Sequence, residues 1–168
     1  MAKTAKPQDA IALLKADHRE VEGLFDQFEK AREAGRKRTL AEDICRALII
    51  HSRIEEEIFY PACAGKVDEA MLKEARIEHD SATLLIRDIL ASDPADEFYD
   101  AKLSVLAEQI THHVQEEEAR MEGLFSQARK AGFDMVALGA ELRTRRDTLR
   151  AEFADAIPRP EPHELSLG

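Results

Sequence analysis

Six side chains in this chain have the types and the spacing to hold cations. His51 and Glu55 are four residues apart, a separation that stacks two side chains on one face of a helix. His113 and Glu117 repeat the pair, and the single histidines His18 and His79 precede those pairs by 33 and 34 residues. Neighbours at helical steps are apolar: Ile44 and Leu48 before His51, Leu106 and Ile110 before His113, Leu14 and Val21 about His18, Ala75 and Ala82 about His79. The polar groups therefore face a core. Each unpaired buried ionisable group would cost several kcal/mol, against a total stability of about 5–15 kcal/mol. Shared cations would remove that cost. Imidazole and carboxylate without thiolate suit iron, manganese or zinc, whereas structural zinc favours a closed site, often with cysteine.

A lone histidine on an apolar face is more often a core residue bonded to a carbonyl than a ligand. A single His-x-x-x-Glu pair can likewise be a surface pair worth a few tenths of a kcal/mol. Recurrence on four stripes at matching depth points instead to a common site. His112 and Glu116 share the spacing, but helical steps from His112 reach Gln109, Ala119 and Arg120. That mostly polar stripe leaves His113 as the inward residue. His163 falls in a proline-rich tail and is set aside.

Helices must position these groups. Aromatic residues make up 5% of the 168 residues and charged ones 35%, with few glycines and prolines, a composition that favours helix over strand. Apolar periodicity predicts a first helix from Pro7 to about Ala34, followed by a basic turn, Arg36-Lys37-Arg38. A second helix opens on the capping box Thr39-Leu40-Ala41-Glu42, carries Ile44, Leu48, His51, Glu55, Ile58 and Ala62 on one stripe, and kinks or ends near Tyr60-Pro61. A third spans about Val67–Ala91. A fourth runs from Pro94, capped by Asp93, to Lys130, with Met121 and Leu124 continuing the inner stripe, and a fifth spans Asp134–Ala156. The fold expected is all-α, an up-down-up-down antiparallel four-helix bundle plus a C-terminal fifth helix. The organisation expected is a bundle over residues 1–132, an accessory helix over 133–157 and a disordered tail over 158–168.

A net charge of −10 argues against a nucleic-acid surface. No run approaches the ~20 apolar residues of a membrane span, and the N-terminal residues lack the apolar stretch of a signal peptide. Cys45 and Cys63 sit 18 positions apart on one predicted helix, roughly 27 Å, too far for a disulfide. Two unpaired thiols suggest a reducing, cytoplasmic setting.

Asp17-His18, the run from His51 through Glu55-Glu56-Glu57 to Tyr60-Pro61, Glu78-His79, and His112-His113 with Glu116-Glu117-Glu118 together resemble the hemerythrin-like family, also called the HHE cation-binding domain. The likeness covers about residues 8–130. It implies a non-heme di-iron centre with an oxo or hydroxo bridge, zinc or manganese being substitutes on purification. His18, His51, His79 and His113 would be terminal ligands and Glu55 and Glu117 bridges. Glu22, Glu56 or Tyr60 could add a ligand or an outer hydrogen bond, Tyr60 being expected mainly to pack. Oxygen-carrying members have a further histidine where this chain has Thr83, and an aspartate bridge after a longer gap where it has Glu117. The resemblance therefore implies binding of, or reaction with, a small diatomic or peroxide ligand (O2, NO or H2O2) rather than reversible oxygen carriage. It leaves open whether the chain is an enzyme. An alternative is iron sensing, delivery or repair with a labile site. The arginines of the fifth helix suggest a protein partner or self-association.

Overall fold

Asp9 starts the first helix, its side chain accepting the Ala12 amide at 2.8 Å and satisfying one of the donors that a helix N-terminus leaves open. The computed structural model describes residues 7–166, and every regular element among them is helical. Helix α1 is Ala10–Lys30 and α2 is Ala34–Ile54, prolonged by a wide turn over Glu55–Phe59 and a last turn over Tyr60–Cys63. Helix α3 is Glu69–Ala91, α4 is Tyr99–Glu118, α5 is Leu124–Lys130 and α6 is Met135–Glu152. Asp68 and Asp134 cap α3 and α6 with their carboxylates. Short connections force consecutive long helices to run antiparallel, so α1–α4 form the expected bundle around Ile11, Leu14, Ile44, Ile54, Ile86, Leu103 and Leu106, all at most 3% exposed. Helix α6 lies outside, across α1 and α2. Its seat needs a glycine, because a Cβ at Gly139 would stand 2.7–2.8 Å from backbone atoms of residues 8–10.

Several boundaries differ from the sequence reading. The basic run Arg36–Arg38 is no turn; it forms the first turns of α2, where the three side chains meet Gln27, Asp100 and Asp93. Thr39 is consequently inside the helix, its hydroxyl donating to the Gly35 carbonyl instead of capping. Asp93 caps only a local turn, with its own amide taken by Asp96, and α4 starts at Tyr99. The fourth helix also breaks after Glu118. Gly123 folds back so closely that a Cβ would lie 2.5 Å from the Ala119 carbonyl oxygen, and Met121, placed inward by periodicity, is 76% exposed.

The prolines of residues 158–162 predicted disorder, yet the described tail returns across α3. Pro160 is buried, and three successive amides of residues 163–165 donate to the Asp80 carboxylate. A carboxylate that binds consecutive amides supplies the order that the prolines do not. Residues 1–6, on which most of the signal-peptide reading rests, lie outside the described range. No helix among the described residues is long and apolar enough to cross a membrane. Both cysteines are buried and unpaired.

Candidate metal centre

The wide turn in α2 shapes the site. Pro61 has no N–H and its ring crowds the carbonyl four residues earlier. The helix accommodates it with one turn of i→i+5 bonding, in which the Tyr60 amide donates to the Glu55 carbonyl. The extra residue rotates the last turn of the helix about its axis. Phe59 and Cys63 face the core where unbroken periodicity predicted Ile58 and Ala62, which are only half-buried. It also turns Tyr60 inward beside Glu55, as such bulges often do at functional sites.

All six sequence-predicted residues converge. His18, His51, Glu55, His79, His113 and Glu117 are at most 5% exposed. They form two adjoining groups, His18–His51–Glu55–Glu117 and Glu55–His79–His113, whose potential ligand atoms lie within 4.8 Å of one another in each group. Within the first, the His18 and His51 Nε2 atoms are 3.0 Å apart; within the second, those of His79 and His113 are 3.2 Å apart. The carboxylates stand between. Glu55 turns Oε1 to His51 and Oε2 to His79, at 3.2 Å each. Glu117 turns Oε2 to His18 at 3.3 Å and Oε1 to His113 at 3.5 Å. Each carboxylate thus offers one oxygen to each group.

Every histidine has a carboxylate on its other nitrogen. Nδ1 of His18 meets Glu118 at 2.7 Å, that of His79 meets Glu56 at 2.8 Å and that of His113 meets Glu78 at 2.6 Å. His51 Nδ1 has Asp17 at 3.5 Å, the longest of the four. The pattern is pseudo-twofold: the acid before each single histidine serves a pair histidine, and the acid after each bridging glutamate serves a single one. For His18, His79 and His113 such partners favour Nδ1 as the N–H and turn the Nε2 lone pair to the centre, while His51 Nδ1 makes no hydrogen bond and keeps only the Asp17 charge nearby. Facing lone pairs 3 Å apart repel unless a cation or a proton lies between them. The Glu55 Oε1 and Glu117 Oε2 atoms, buried and without hydrogen-bond partners, are the remaining open donors. The donor set fits two cations.

Electrostatics agree with that shape. Burial alone would depress the His51 pKa, but the Glu55 and Asp17 carboxylates raise it to about 10. Burial opposes the charged forms of His79 and His113 as well, and the carboxylates around each prevail and raise them. Burial would raise Glu55, yet His51, His113 and His79 hold it well below the usual carboxylate range. The buried carboxylates thus favour positive charge among the imidazoles, the charge that cations would supply.

Sequence reasoning missed several contributors. The Tyr60 hydroxyl does more than pack: it donates to Glu117 Oε1 at 2.9 Å and Glu55 Oε2 at 3.1 Å, and lies 3.2 Å from His79 Nε2. Burial and both carboxylates push its pKa well above that of an ordinary phenol. The signal was Pro61, whose wide turn places residues i and i+5 together. Helix α6 also reaches the site, because Arg146 donates to Asp17 at 2.7 Å, while Arg145 and Arg150 pair with Glu57 and Glu20. These arginines hold α6 to its own bundle. Arg146→Ala would take from buried Asp17 the guanidinium that, with His51, balances its charge and is expected to cost about 3 kcal/mol, or roughly 10 °C in Tm, read in thermal melts. His112 is largely exposed beside Glu116, as its stripe implied, and Glu22 lies outside both groups. Neither cysteine joins them; burial pushes each thiol up to about 12.

A cavity of about 20 Å³ touches all four histidines and is lined on its apolar side by Val21, Leu48, Ile110 and Val114. It has room for little more than one water-sized molecule. Ile110 and Val114 also line a groove of about 440 Å³ between α1 and α4, the loosest seam of the bundle.

Residues 9–125 match the family described as the hemerythrin HHE cation binding domain. The solved structure of an HHE cation binding domain-containing protein from Mycobacterium kansasii superposes with a TM-score of 0.73 at 21% identity, covering 86% of this chain and 88% of that one. A DNA nickase from Nostoc is 25% identical over 114 residues, which make up 68% of this chain and 32% of that protein. The chain thus spans about a third of the length of that curated relative.

Proposed function

This chain belongs to the hemerythrin HHE cation-binding family, and on that premise we propose that its buried cluster holds two iron ions and reacts with a small oxidant: oxygen, nitric oxide or hydrogen peroxide. The observation that carries the reading is the pair of facing Nε2 atoms on either side of two carboxylates, each of which divides its oxygens between them. His18 and His51 would hold one ion and His79 and His113 the other, with Glu55 and Glu117 shared. Nitrogen and carboxylate donors without thiolate favour iron over a structural zinc. Bound iron would supply Lewis acidity and one-electron redox change.

The chain's own residues shape what can react. Glu118, Asp17, Glu56 and Glu78 hold the imidazoles in register and raise their basicity as ligands. The Tyr60 hydroxyl, whose pKa burial and the Glu117 and Glu55 carboxylates raise, lies 3.2 Å from His79 Nε2, so it is the group placed to give a hydrogen bond to a ligand there. The 20 Å³ cavity admits a few atoms only, and Ile110 and Val114 separate it from the α1–α4 groove by which such a molecule would enter. A cytoplasmic setting is consistent with two buried, unpaired thiols. A net charge of −10 opposes binding to the phosphate backbone, so the activity in the Nostoc relative's name is not carried over.

The test is natively purified protein assayed together for iron, near-ultraviolet charge-transfer absorption and peroxide consumption. About two irons per chain, absorption bands that vanish with the metal, and a Tyr60→Phe protein that keeps its iron but consumes peroxide roughly tenfold more slowly are expected. Full iron occupancy without such bands and without reaction with any of the three oxidants would refute the reading.

A further inference from the structure

The tail's seat on α3 is built from directed contacts on a buried carboxylate, yet none of its described residues joins the metal centre. Asp80, next to His79, is 2% exposed, and its carboxylate accepts the amides of His163, Glu164 and Leu165 at 2.8, 2.5 and 2.7 Å. Arg87 pairs with Glu161 and reaches the Pro160 carbonyl, and Arg76 pairs with Glu164 at 3.1 Å. At the start of the strap, Arg46 of α2 donates to the Phe153 carbonyl at 3.0 Å. The strap therefore bridges α2 and α3 across the edge where Glu56 meets His79.

That seating brings His163 Nε2 to 3.4 Å from Glu56 Oε2, while Glu56 Oε1 holds the His79 Nδ1. On the opposite side of the pseudo-twofold axis, Glu118 holds His18 and is steadied by Arg19 at 2.5 Å, one residue along the same helix. The equivalent position beside His79 is Asp80, an acid, and the side chain that meets the outer oxygen of Glu56 comes instead from the tail, as His163. The two halves of the site are thus supported unequally. One half is supported from within the bundle and the other from a segment beyond the family match, which ends at residue 125.

We propose that the C-terminal strap, latched on Asp80, is a positioning element that fixes Glu56 and through it His79, so that retention of the cation on the His79–His113 side depends on the strap while retention on the His18–His51 side does not. This rests on the two-cation reading. The latch gives the chain one firmly held ion and one whose exchange is governed by whether the tail is seated.

The test uses the full chain as unmodified protein and as Asp80→Ala, His163→Ala and His163→Gln, with folding of each checked by circular dichroism. Proteins loaded anaerobically with ferrous iron are mixed with excess ferrous chelator and release is followed with time. Asp80→Ala is expected to accelerate one of two equivalents about tenfold. His163→Ala, which removes an exposed contact, is expected to accelerate the same equivalent about threefold, and His163→Gln, which keeps a donor, to restore the slow rate. Equal acceleration of both equivalents, or of neither, overturns the proposal. Hydrogen exchange supplies the arm that needs no metal: amides 163–165 should be protected in the unmodified protein and open in Asp80→Ala, and their lack of protection in the unmodified protein overturns the latch. Unmodified protein that takes up no ferrous iron would instead sink the two-cation reading, and the retention claim with it, while exchange still reports whether the tail is seated.

Discussion

Glu55→Ala protein, purified natively, is expected to carry less than one metal ion per chain where the unmodified protein carries two. Glu55 is fully buried and gives one oxygen to each group of histidines, so its loss removes a donor from both ions at once. Loss of an outer partner alone typically weakens a metal site about 10- to 100-fold, and loss of a shared direct donor should exceed that. The variant should also melt lower without metal, since three buried imidazoles lose the carboxylate that balances them, a change of about 3–5 kcal/mol for a buried pair broken on one side. His112→Ala, on the exposed flank, is the control and should keep both ions. Elemental analysis of the two variants side by side decides the matter. Equal metal content in both would remove Glu55 from the centre.

The metal-free protein is expected to lose stability as the pH rises above about 6.5, unlike most proteins at mildly alkaline pH. The sign follows from His51, whose folded-state pKa of about 10 exceeds its ordinary value of 6.5. Its stabilising charge is fully present below pH 6.5 and is lost as the pH climbs through about 10. His79 and His113 are raised too and act in the same direction. Glu55, held below its ordinary value of 4.5, contributes fully above that pH and is lost in acid. The fall above pH 6.5 should approach 1.4 kcal/mol per pH unit for each proton involved. Metal must displace those protons, so loading should release them and tighten with pH, and the loaded protein should keep a flat profile across the same range. Thermal melts of both forms between pH 5 and 10 test this. A metal-free Tm that holds or rises from pH 6.5 to 9 would contradict it.

The four bundle helices and the convergence of their histidines were legible because the relevant residues recur at helical steps amid apolar neighbours, and burial of six polar groups demands a common explanation. What was not legible arose from single residues whose effect is local and geometric. Pro61 adds a residue to a turn and shifts the core stripe from Ile58 to Phe59. Gly123 permits a close fold-back that ends α4 near Glu118, in the middle of an unbroken apolar pattern. Asp80 gives the tail a seat that its own prolines do not announce. The outer acids were visible as types, Asp17 and Glu78 before histidines and Glu56 and Glu118 after glutamates. Their crossed pairing needs the positions of all four helices, and so does the reach of Arg146 from α6 to Asp17.

The most direct measurement is a crystal structure of natively purified protein with anomalous diffraction collected on both sides of the iron absorption edge. Two iron peaks, one beside His18 and His51 and the other beside His79 and His113, with Glu55 and Glu117 between them, are the predicted result. No peak there, a lone peak, or peaks that belong to another metal would contradict the di-iron centre.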